Sequence, residues 1–469
     1  MRSSLARTLA AAVACAAGLS AGLTVTPAGA AAPASSEKGA VTRFGYKASV
    51  YGTKLLVNNV EVRTLRDADL QFPCTRTVGV SKAKPSIGSL PIDNDLIKIA
   101  ATNSTSKTYR DAARGINGVR AISTVADIKL GGEVLGVATP VLKIEGLQSV
   151  ADSFYDAKAD NGAGAFGETH SFGFKGMSLE MPENSPVPAE VQELLDILSQ
   201  ATAPIAQIVN QVITLLQDLA GPLEIPGLGS ISLGSSSGKT GANFAAAEAY
   251  ALRILVDATG EDTVLQLGRA SSRISRPVPA GVFRSTMSAL ELTALNDLVS
   301  LGGIAQRSIP CEGTFGNVRT VNTASASLVH EQLGVTVTDM KYAYKGLQKG
   351  TVGRGFTSAQ IGEVRLAVPN TLDIVVKGLT SRVDVAALKP GKRVARKVTT
   401  SFGSILINGE EVFPKPGKPV IFDGGVLRML VEKEANFYGT KVSGLSIQLT
   451  ELDTRIDLAQ ISARFLTKG

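Results

Sequence analysis

The stretch TLDIVVKGL, residues 371–379, alternates apolar and polar side chains, with Leu372, Ile374 and Val376 at every second position. Successive side chains of a β-strand point to opposite faces of the sheet, so this pattern is typical of a strand with one buried face. Glycine, proline, asparagine and aspartate separate it from similar short runs: SILING (404–409), VLRMLV (426–431) and VSGLSIQL (442–449). Closely spaced strands without alternating helices predict a mainly β protein of the antiparallel sandwich type.

The chain also resembles itself at five places that follow in the same order. PCTRTVG (73–79) matches PCEGTFG (310–316), and ASSRI (270–274) matches ISARF (461–465). The other matches are 126–149 with 359–381, 171–182 with 401–414, and 242–256 with 435–449. Collinear matches predict a tandem duplication. We therefore expect two tandem homologous antiparallel β-sandwich-like domains, residues 40–280 and 281–469.

One segment of the first predicted domain departs from the strand pattern. Residues 186–221 carry apolar side chains at helical spacing, with a break at Pro204. They predict an inserted α-helical hairpin at about 187–220, which either packs over a sheet or serves self-association or binding at a membrane surface. Acidic residues such as Glu190 and the absence of basic ones disfavour an anionic bilayer. Residues 285–303 favour a further short helix between the two domains.

The first 30 residues have the pattern of a secretory signal peptide, with cleavage near Ala30 to Ala32. Arg2 and Arg7 precede an apolar core at 8–25. Lipidation of Cys15 is the alternative, but the usual leucine is missing before it. No later stretch approaches the roughly 18–20 apolar residues of a spanning helix. The mature chain is thus expected to be secreted or extracellular, with cell-wall association as an option and no transmembrane segment.

Two cysteines remain after the signal peptide, Cys74 and Cys311, and they occupy matching positions of the repeat. Cysteines of exported proteins usually pair, so a Cys74–Cys311 disulfide is predicted. Such a bond would join one domain to the other. Two unpaired, buried cysteines are the alternative.

The stretch LGSSSGKTG, residues 233–241, resembles two kinds of active site. A phosphate-binding loop would need glycine where Leu233 stands. A nucleophile elbow would make Ser236 the nucleophile and would need a strand–turn–helix context with a downstream acid and histidine. The histidines of the chain, His170 and His330, have no supporting motif. We interpret the stretch as a solvated turn between two strands.

Other chemistry is equally unsupported. Two histidines and two cysteines at wide spacings make no zinc motif, residues 93–95 are no complete calcium loop, and pairs such as Glu410–Glu411 cannot be assigned to a common cleft. Tryptophan is absent and aromatic residues make up 5%, which weakens carbohydrate binding by ring stacking. We predict no catalytic, cofactor-binding or metal-binding residues and no cofactor.

The formal net charge of +7 comes from basic residues that are mostly dispersed. The densest run, KPGKRVARK (389–397), is expected to be a solvated loop, with contact to anionic wall polymers as the alternative. No feature indicates nucleic-acid binding or a particular oligomeric state.

Three segments together resemble the choice-of-anchor P family of secreted actinobacterial proteins. They are FGYKASVYGTKLLV (44–57) followed by FPC (72–74), ADIKLGGEVLGV (126–137), and SFGSILINGEEV (401–412) followed by FDGGVLRMLVEKE and VSGLSIQL. The resemblance implies an exported or surface protein defined by how it is retained, and it offers no catalytic residues to transfer. This chain shows no terminal sorting signal.

These observations together favour a secreted, non-enzymatic protein of the cell surface with a structural or adhesive role. An extracellular binding module for a cell-wall polymer or glycan is the alternative, and a secreted hydrolase is a third. The expected partner is a wall polymer or a surface protein.

Overall fold

The computed structural model describes residues 39–467, apart from short gaps. The gaps are 58–59, 88–96, 135–136, 184, 186, 201–203, 220, 257–262, 295–298, 302–306, 324–325, 331–332, 351 and 390. The predicted signal peptide, residues 1–30, and the residues 93–95 lie outside the described part of the chain.

Antiparallel strands dominate the described residues, which confirms the mainly β prediction. The strands before residue 280 are β1 (Val41–Val57), β2 (Val60–Asp67), β3 (Leu70–Thr77), β4 (Ser81–Ile87), β5 (Ile97–Ile99), β6 (Ala101–Asp111), β7 (Ile116–Leu130), β8 (Glu133–Val134), β9 (Val137–Ala138), β10 (Val141–Asp156), β11 (Ala165–Gly173), β12 (Gly176–Glu180), β13 (Leu223–Ile225), β14 (Gly229–Leu233), β15 (Ser236–Gly241), β16 (Phe244–Val256) and β17 (Thr263–Ser275).

The strands after residue 280 are β18 (Val282–Ala294), β19 (Val299–Leu301), β20 (Arg319–Thr323), β21 (Ala326–His330), β22 (Leu333–Thr338), β23 (Met340–Lys349), β24 (Val352–Val368), β25 (Leu372–Ala387), β26 (Ala395–Ser401), β27 (Ser404–Ile407), β28 (Glu410–Glu411), β29 (Val420–Phe422), β30 (Gly425–Asn436), β31 (Gly439–Leu449) and β32 (Thr454–Leu466). The α-helices are α1 (Ala189–Leu198) and α2 (Ile205–Asp218).

Four large sheets contain nearly all of these strands, and each takes its strands from one side of residue 280. Sheet I holds β1–β3 and β13–β17, and sheet II holds β4–β7 and β10–β12. Sheet III holds β18, β19 and β29–β32, and sheet IV holds β20–β28. Strands β8 and β9 pair only with each other.

The strand order is the same in sheets I and III. It runs β13-β14-β16-β17-β1-β2 in sheet I and β29-β30-β31-β32-β18-β19 in sheet III. Sheets II and IV also agree, because β11-β10-β7-β6-β4 has the counterpart β26-β25-β24-β23-β20. The tandem duplication itself stays a prediction.

Two β-sandwiches result, because sheet I packs on sheet II and sheet III packs on sheet IV. In the first sandwich, Tyr46, Ala48 and Val50 of β1 are buried in one cluster with Val119 and Ala121 of β7. In the second, the alternating apolar residues of β25 are buried against β32. The strand that the sequence predicts at 371–379 therefore forms, with its apolar face inside.

The two helices lie within the predicted range, and they pack on the core of the first sandwich. Val191 and Leu194 of α1 and Val212 of α2 are buried in one cluster with Leu223 and Ile231 of sheet I. Packing against strands, rather than intrinsic propensity, is the main source of stability for such short amphipathic helices. That they were inserted into a duplicated domain stays a prediction.

The short helix predicted at 285–303 is wrong, because this segment begins with strand β18. It pairs with β32 from Val282 to Ala294, and Met287 and Ala289 are buried in the core of the second sandwich. An apolar residue at every second position fits a strand, and this pairing overrides the local helical propensity of leucine and alanine.

The prediction of a solvated turn at 233–241 is also wrong. Residues Ser236–Gly241 form the edge strand β15, which pairs with β16 along its whole length. Gly234 lies between β14 and β15, and a Cβ there would be 2.0 Å from the Tyr250 carbonyl oxygen. Glycine therefore permits the close approach of this backbone to strand β16. Most of β15 is exposed, which explains its polar composition.

A disulfide between Cys74 and Cys311 joins the two sandwiches. The two Cα atoms lie 5.4 Å apart, and both cysteines are buried together with Val278 and Val282. Gly45 of β1 lies against this bond, because a Cβ at Gly45 would be 2.6 Å from the Cβ of Cys311.

We therefore expect Gly45→Ala to lower the free energy of unfolding by about 1–3 kcal/mol, since overpacking forces the backbone at the junction to shift. Urea unfolding of the oxidised protein measures the change. Gly173→Ala in β11 is the matched control, because a Cβ there would meet no atom within 4 Å. Equal stability of the two variants would show that β1 does not lie against the disulfide.

Candidate anion-binding cleft

A cleft of about 780 Å³ lies between sheets I and III, and Cys74 is part of its lining. Its walls come from the strand faces that point away from the two sandwich cores. Because Tyr46 and Ala48 point into the core, the alternation of β1 turns Lys47 and Ser49 toward the cleft. Equivalent residues of β18 and β32 line the opposite wall.

Each wall presents two cations directly opposite each other on neighbouring strands. Lys47 of β1 pairs in register with Arg273 of β17, and Arg284 of β18 pairs in register with Arg464 of β32. Like charges at directly opposite positions of an antiparallel pair are destabilising. These four residues are called the cation quartet below.

The two pairs occupy the same position in their sheets. Gly45 pairs with Ser275, the last residue of β17, and Val282 pairs with Leu466, the last residue of β32. Each cation pair of the quartet lies two residues further along its strands. The two outer faces therefore present the same arrangement across the cleft.

The two arginines contributed by β17 and β32 are only partly neutralised. Arg273 Nη2 donates to Glu312 Oε1 at 2.8 Å, and Arg464 donates to Glu434. The Nε of Arg273 and the Nε of Arg464 are both buried, and neither has a hydrogen-bond partner in the described part of the chain. Each arginine thus keeps one N–H group without an acceptor, at equivalent positions.

The other two quartet members contact neutral oxygens of the opposite sandwich. Lys47 Nζ donates to Ser308 Oγ, and Arg284 Nε donates to the Cys74 carbonyl oxygen at 2.6 Å. Among the described residues, neither cation forms a salt bridge. Burial lowers the pKa of Lys47 to about 8, and nearby Arg273 adds to this shift. Burial and the charge of Arg464 also lower the pKa of Arg284.

The rest of the cleft is positive as well. Eight cationic side chains line it against two carboxylates, Glu248 and Glu434; the cations beyond the quartet are Lys54, Arg269, Arg307 and Lys441. Arg269 Nε donates to Glu248 Oε1 at 2.8 Å. A cleft lined by one sign of charge concentrates ligands of the opposite sign.

The residues that suggested hydrolase chemistry do not come together. His170 Nδ1 lies 2.8 Å from Glu168 Oε2 on β11, and no serine of the described chain is hydrogen-bonded to this histidine. Ser236 is exposed on β15. His330 ends β21, and its side chain lies outside the described residues. Glu410 and Glu411 are exposed on β28.

The described residues contain no group of three or more histidine, cysteine, aspartate or glutamate side chains that could hold a metal ion. Within that same part of the chain, no helix is long and apolar enough to span a membrane. The described residues of the basic run at 389–397 divide between a loop, where Lys389, Lys392 and Arg393 are exposed, and the start of β26, and none of these described residues lines the cleft.

Comparison with known proteins gives no relative: no family model, no curated protein and no solved structure matches this chain.

The quartet was missed in the sequence, although half of it was visible there. The match of ASSRI with ISARF already sets Arg273 against Arg464 and Ser271 against Ser462. An arginine repeated at one position of two strands, followed each time by an apolar residue, indicates a charged residue on the outer face. Nothing in the sequence shows that the two outer faces meet.

Lys47→Met tests the electrostatic cost of the quartet. The folded-state pKa of Lys47, about 8, lies below its ordinary value of 10.5. Between these two pH values the folded protein has lost the Lys47 proton while the unfolded chain still binds it, so the free energy of unfolding of the wild type increases as pH rises from 8 to 10.5. Below pH 8 the buried charge costs stability in full. A pKa shift of this size corresponds to about 3 kcal/mol, and partial exposure of the Lys47 side chain reduces the cost. We therefore expect Lys47→Met to be more stable at pH 7 by about 2 kcal/mol, with a difference that vanishes above pH 10.5.

Urea unfolding at pH 7, 9 and 10.5 measures this difference, and the exposed Lys392→Met is the control, expected to change little. A Lys47→Met variant that is less stable than the wild type at pH 7 would contradict the prediction.

Proposed function

We propose that this is an exported, non-enzymatic protein that binds an anionic ligand of the cell envelope in the cleft between its two sandwiches. Its role would be structural or adhesive. The observation that carries this proposal is the cation quartet, in which like charges face each other at the same position of both sheets.

The quartet has an energetic cost, although Lys47, Arg273 and Arg284 also donate hydrogen bonds across the junction. Two cations opposite each other on a sheet repel, and partial burial strengthens that repulsion because water screens it less. Local features that break the rules of stable sequences tend to occur at functional sites. Bound anionic groups would offset the repulsion and accept hydrogen bonds from the buried Nε–H groups of Arg273 and Arg464.

Export is supported by the signal-peptide pattern and by the resemblance to the choice-of-anchor P family. The bond between Cys74 and Cys311 suits an oxidising compartment outside the cytoplasm.

The matching strand orders of sheets I and III support the tandem duplication, with the hairpin of α1 and α2 as an insertion into the first copy. A non-enzymatic role agrees with the scattered positions of His170 and Ser236.

Retention by purified cell envelope tests the proposal and locates the binding surface. The cleft variant carries Lys47→Met and Arg284→Met, and the loop variant carries Lys389→Gln, Lys392→Gln and Arg393→Gln. Because only the first pair lies in the cleft, we expect retention by the anionic polymer fraction to be lost in the cleft variant and kept in the loop variant.

If only the loop variant loses retention by the anionic fraction, the binding surface is the exposed basic run and not the cleft. If the wild-type protein is not retained by the anionic fraction at any salt concentration, the proposed function is wrong. Circular dichroism and a mass map of the disulfide confirm that each variant is folded.

A further inference from the structure

The cleft also indicates the shape of its ligand, if the proposed function holds. We propose that the ligand is a linear chain that carries repeated phosphate groups, and that two of these groups bind the two cation pairs at the same time. The inference rests on the proposed anion binding and adds the class of ligand.

The first argument is that the cleft contains the same subsite twice. On sheet I, the pair Lys47–Arg273 is followed by the hydroxyl pair Ser49–Ser271. On sheet III, the pair Arg284–Arg464 is followed by the hydroxyl pair Thr286–Ser462. All eight of these residues line the cleft. Two cations and two hydroxyl groups thus stand in the same order on both walls.

The second argument concerns the groups that remain free to donate. Gln71 Nε2 donates to Ser49 Oγ at 3.0 Å, which leaves the Ser49 hydroxyl hydrogen for another acceptor. Thr286 and Ser462 share one hydrogen bond of 2.8 Å between their hydroxyls, so one of the two hydrogens is left over. Together with the unpartnered Nε of each arginine, every subsite offers donors from two strands.

Donors from two strands suit phosphate better than carboxylate. A carboxylate presents two oxygens in one plane and matches a single guanidinium fork, whereas a phosphate presents oxygens in a tetrahedral arrangement. The Arg273 guanidinium already donates from Nη2 to Glu312, so the fork that Nη2 forms with Nε is partly occupied, and the buried Nε is left without an acceptor. A lysine ammonium opposite it binds phosphate as a point charge.

The third argument is the size of the cleft. One monovalent anion would relieve the repulsion of one cation pair and leave the other pair as it is. Pockets of about 300–1,000 Å³ hold ligands of several linked units. The volume of about 780 Å³ therefore accommodates a chain segment that reaches from one wall to the other. A repeating chain supplies identical groups for two subsites that present cations and hydroxyl groups in the same order.

Isothermal titration calorimetry at constant ionic strength tests the proposal with orthophosphate, tripolyphosphate, poly(glycerol phosphate) and poly-glutamate. We expect one chain per protein to bind, with tripolyphosphate and poly(glycerol phosphate) at least about tenfold tighter than orthophosphate, since each additional charged contact contributes roughly that factor. Preference for poly(glycerol phosphate) over tripolyphosphate would identify an envelope phosphodiester as the source rather than free polyphosphate.

The two subsites are compared with Lys47→Met and Arg284→Met. Each variant should weaken tripolyphosphate binding by a similar factor, roughly tenfold, and should leave orthophosphate binding at the intact subsite. Lys392→Met, outside the cleft, should bind all probes like the wild type. If only one of the two variants binds tripolyphosphate more weakly than the wild type, the inference of two equivalent subsites is wrong.

A salt series on the wild-type protein gives a second readout that needs no variant. Because each neutralised phosphate releases counterions, the slope of log affinity against log salt should be at least about twice as steep for tripolyphosphate as for orthophosphate. If orthophosphate and tripolyphosphate give equal slopes, the proposal of a chain-like ligand is wrong, whereas the proposed anion binding remains. The same holds if orthophosphate binds as tightly as tripolyphosphate and poly(glycerol phosphate). Binding of no anion at all would refute both.

Discussion

The junction around the Cys74–Cys311 bond holds the outer faces of sheets I and III against each other. Val278, Val282 and both cysteines form a small apolar core there, separate from the cores of the two sandwiches. The buried carboxylate of Glu312 adds to it by accepting from Ser275 and from Arg273 of the other sandwich. Without this junction, each outer face would be an ordinary solvated sheet surface, and no cleft would exist.

The junction also creates the electrostatic cost of the cleft. On an isolated sheet, Lys47 and Arg273 would repel weakly, because water and salt screen exposed charges. Enclosure between two sheets removes part of that screening, which is why the pKa of Lys47 falls to about 8. The apolar core and the covalent bond, which limits the freedom of the unfolded chain over a separation of 237 residues, offset this cost.

Sequence patterns predicted local structure well where alternation was clear, as in the strand at 371–379, and the pattern of an exported chain predicted the pairing of the two cysteines. They could not predict register. The sequence match sets Phe172 against Phe402, but the main-chain bonds of Lys175 and Gly403 to equivalent residues make Phe174 the counterpart of Phe402. Register depends on backbone hydrogen bonds between distant segments, and side-chain identity alone does not define it.

The same limit hid the candidate site. Lys47 and Arg273 are far apart in the sequence and meet only because β1 pairs with β17, while Arg284 and Arg464 meet through β18 and β32. The errors at 285–303 and 233–241 have a related cause, since neither prediction considers the strand with which the segment pairs. In the fold, each becomes a strand because a partner strand satisfies its backbone.

A ligand that contacted both walls would become part of the junction itself. It would bind only when the two sandwiches are held face to face, so its binding free energy would add to the stability of that arrangement. By linkage, any change that loosened the junction, including loss of the Cys74–Cys311 bond, would weaken ligand binding by the same free energy. The repulsion within the cation quartet then has a clear physical role: it keeps the empty cleft under electrostatic strain that an anionic chain relieves, so that affinity depends on the assembled pair of sandwiches rather than on either one alone.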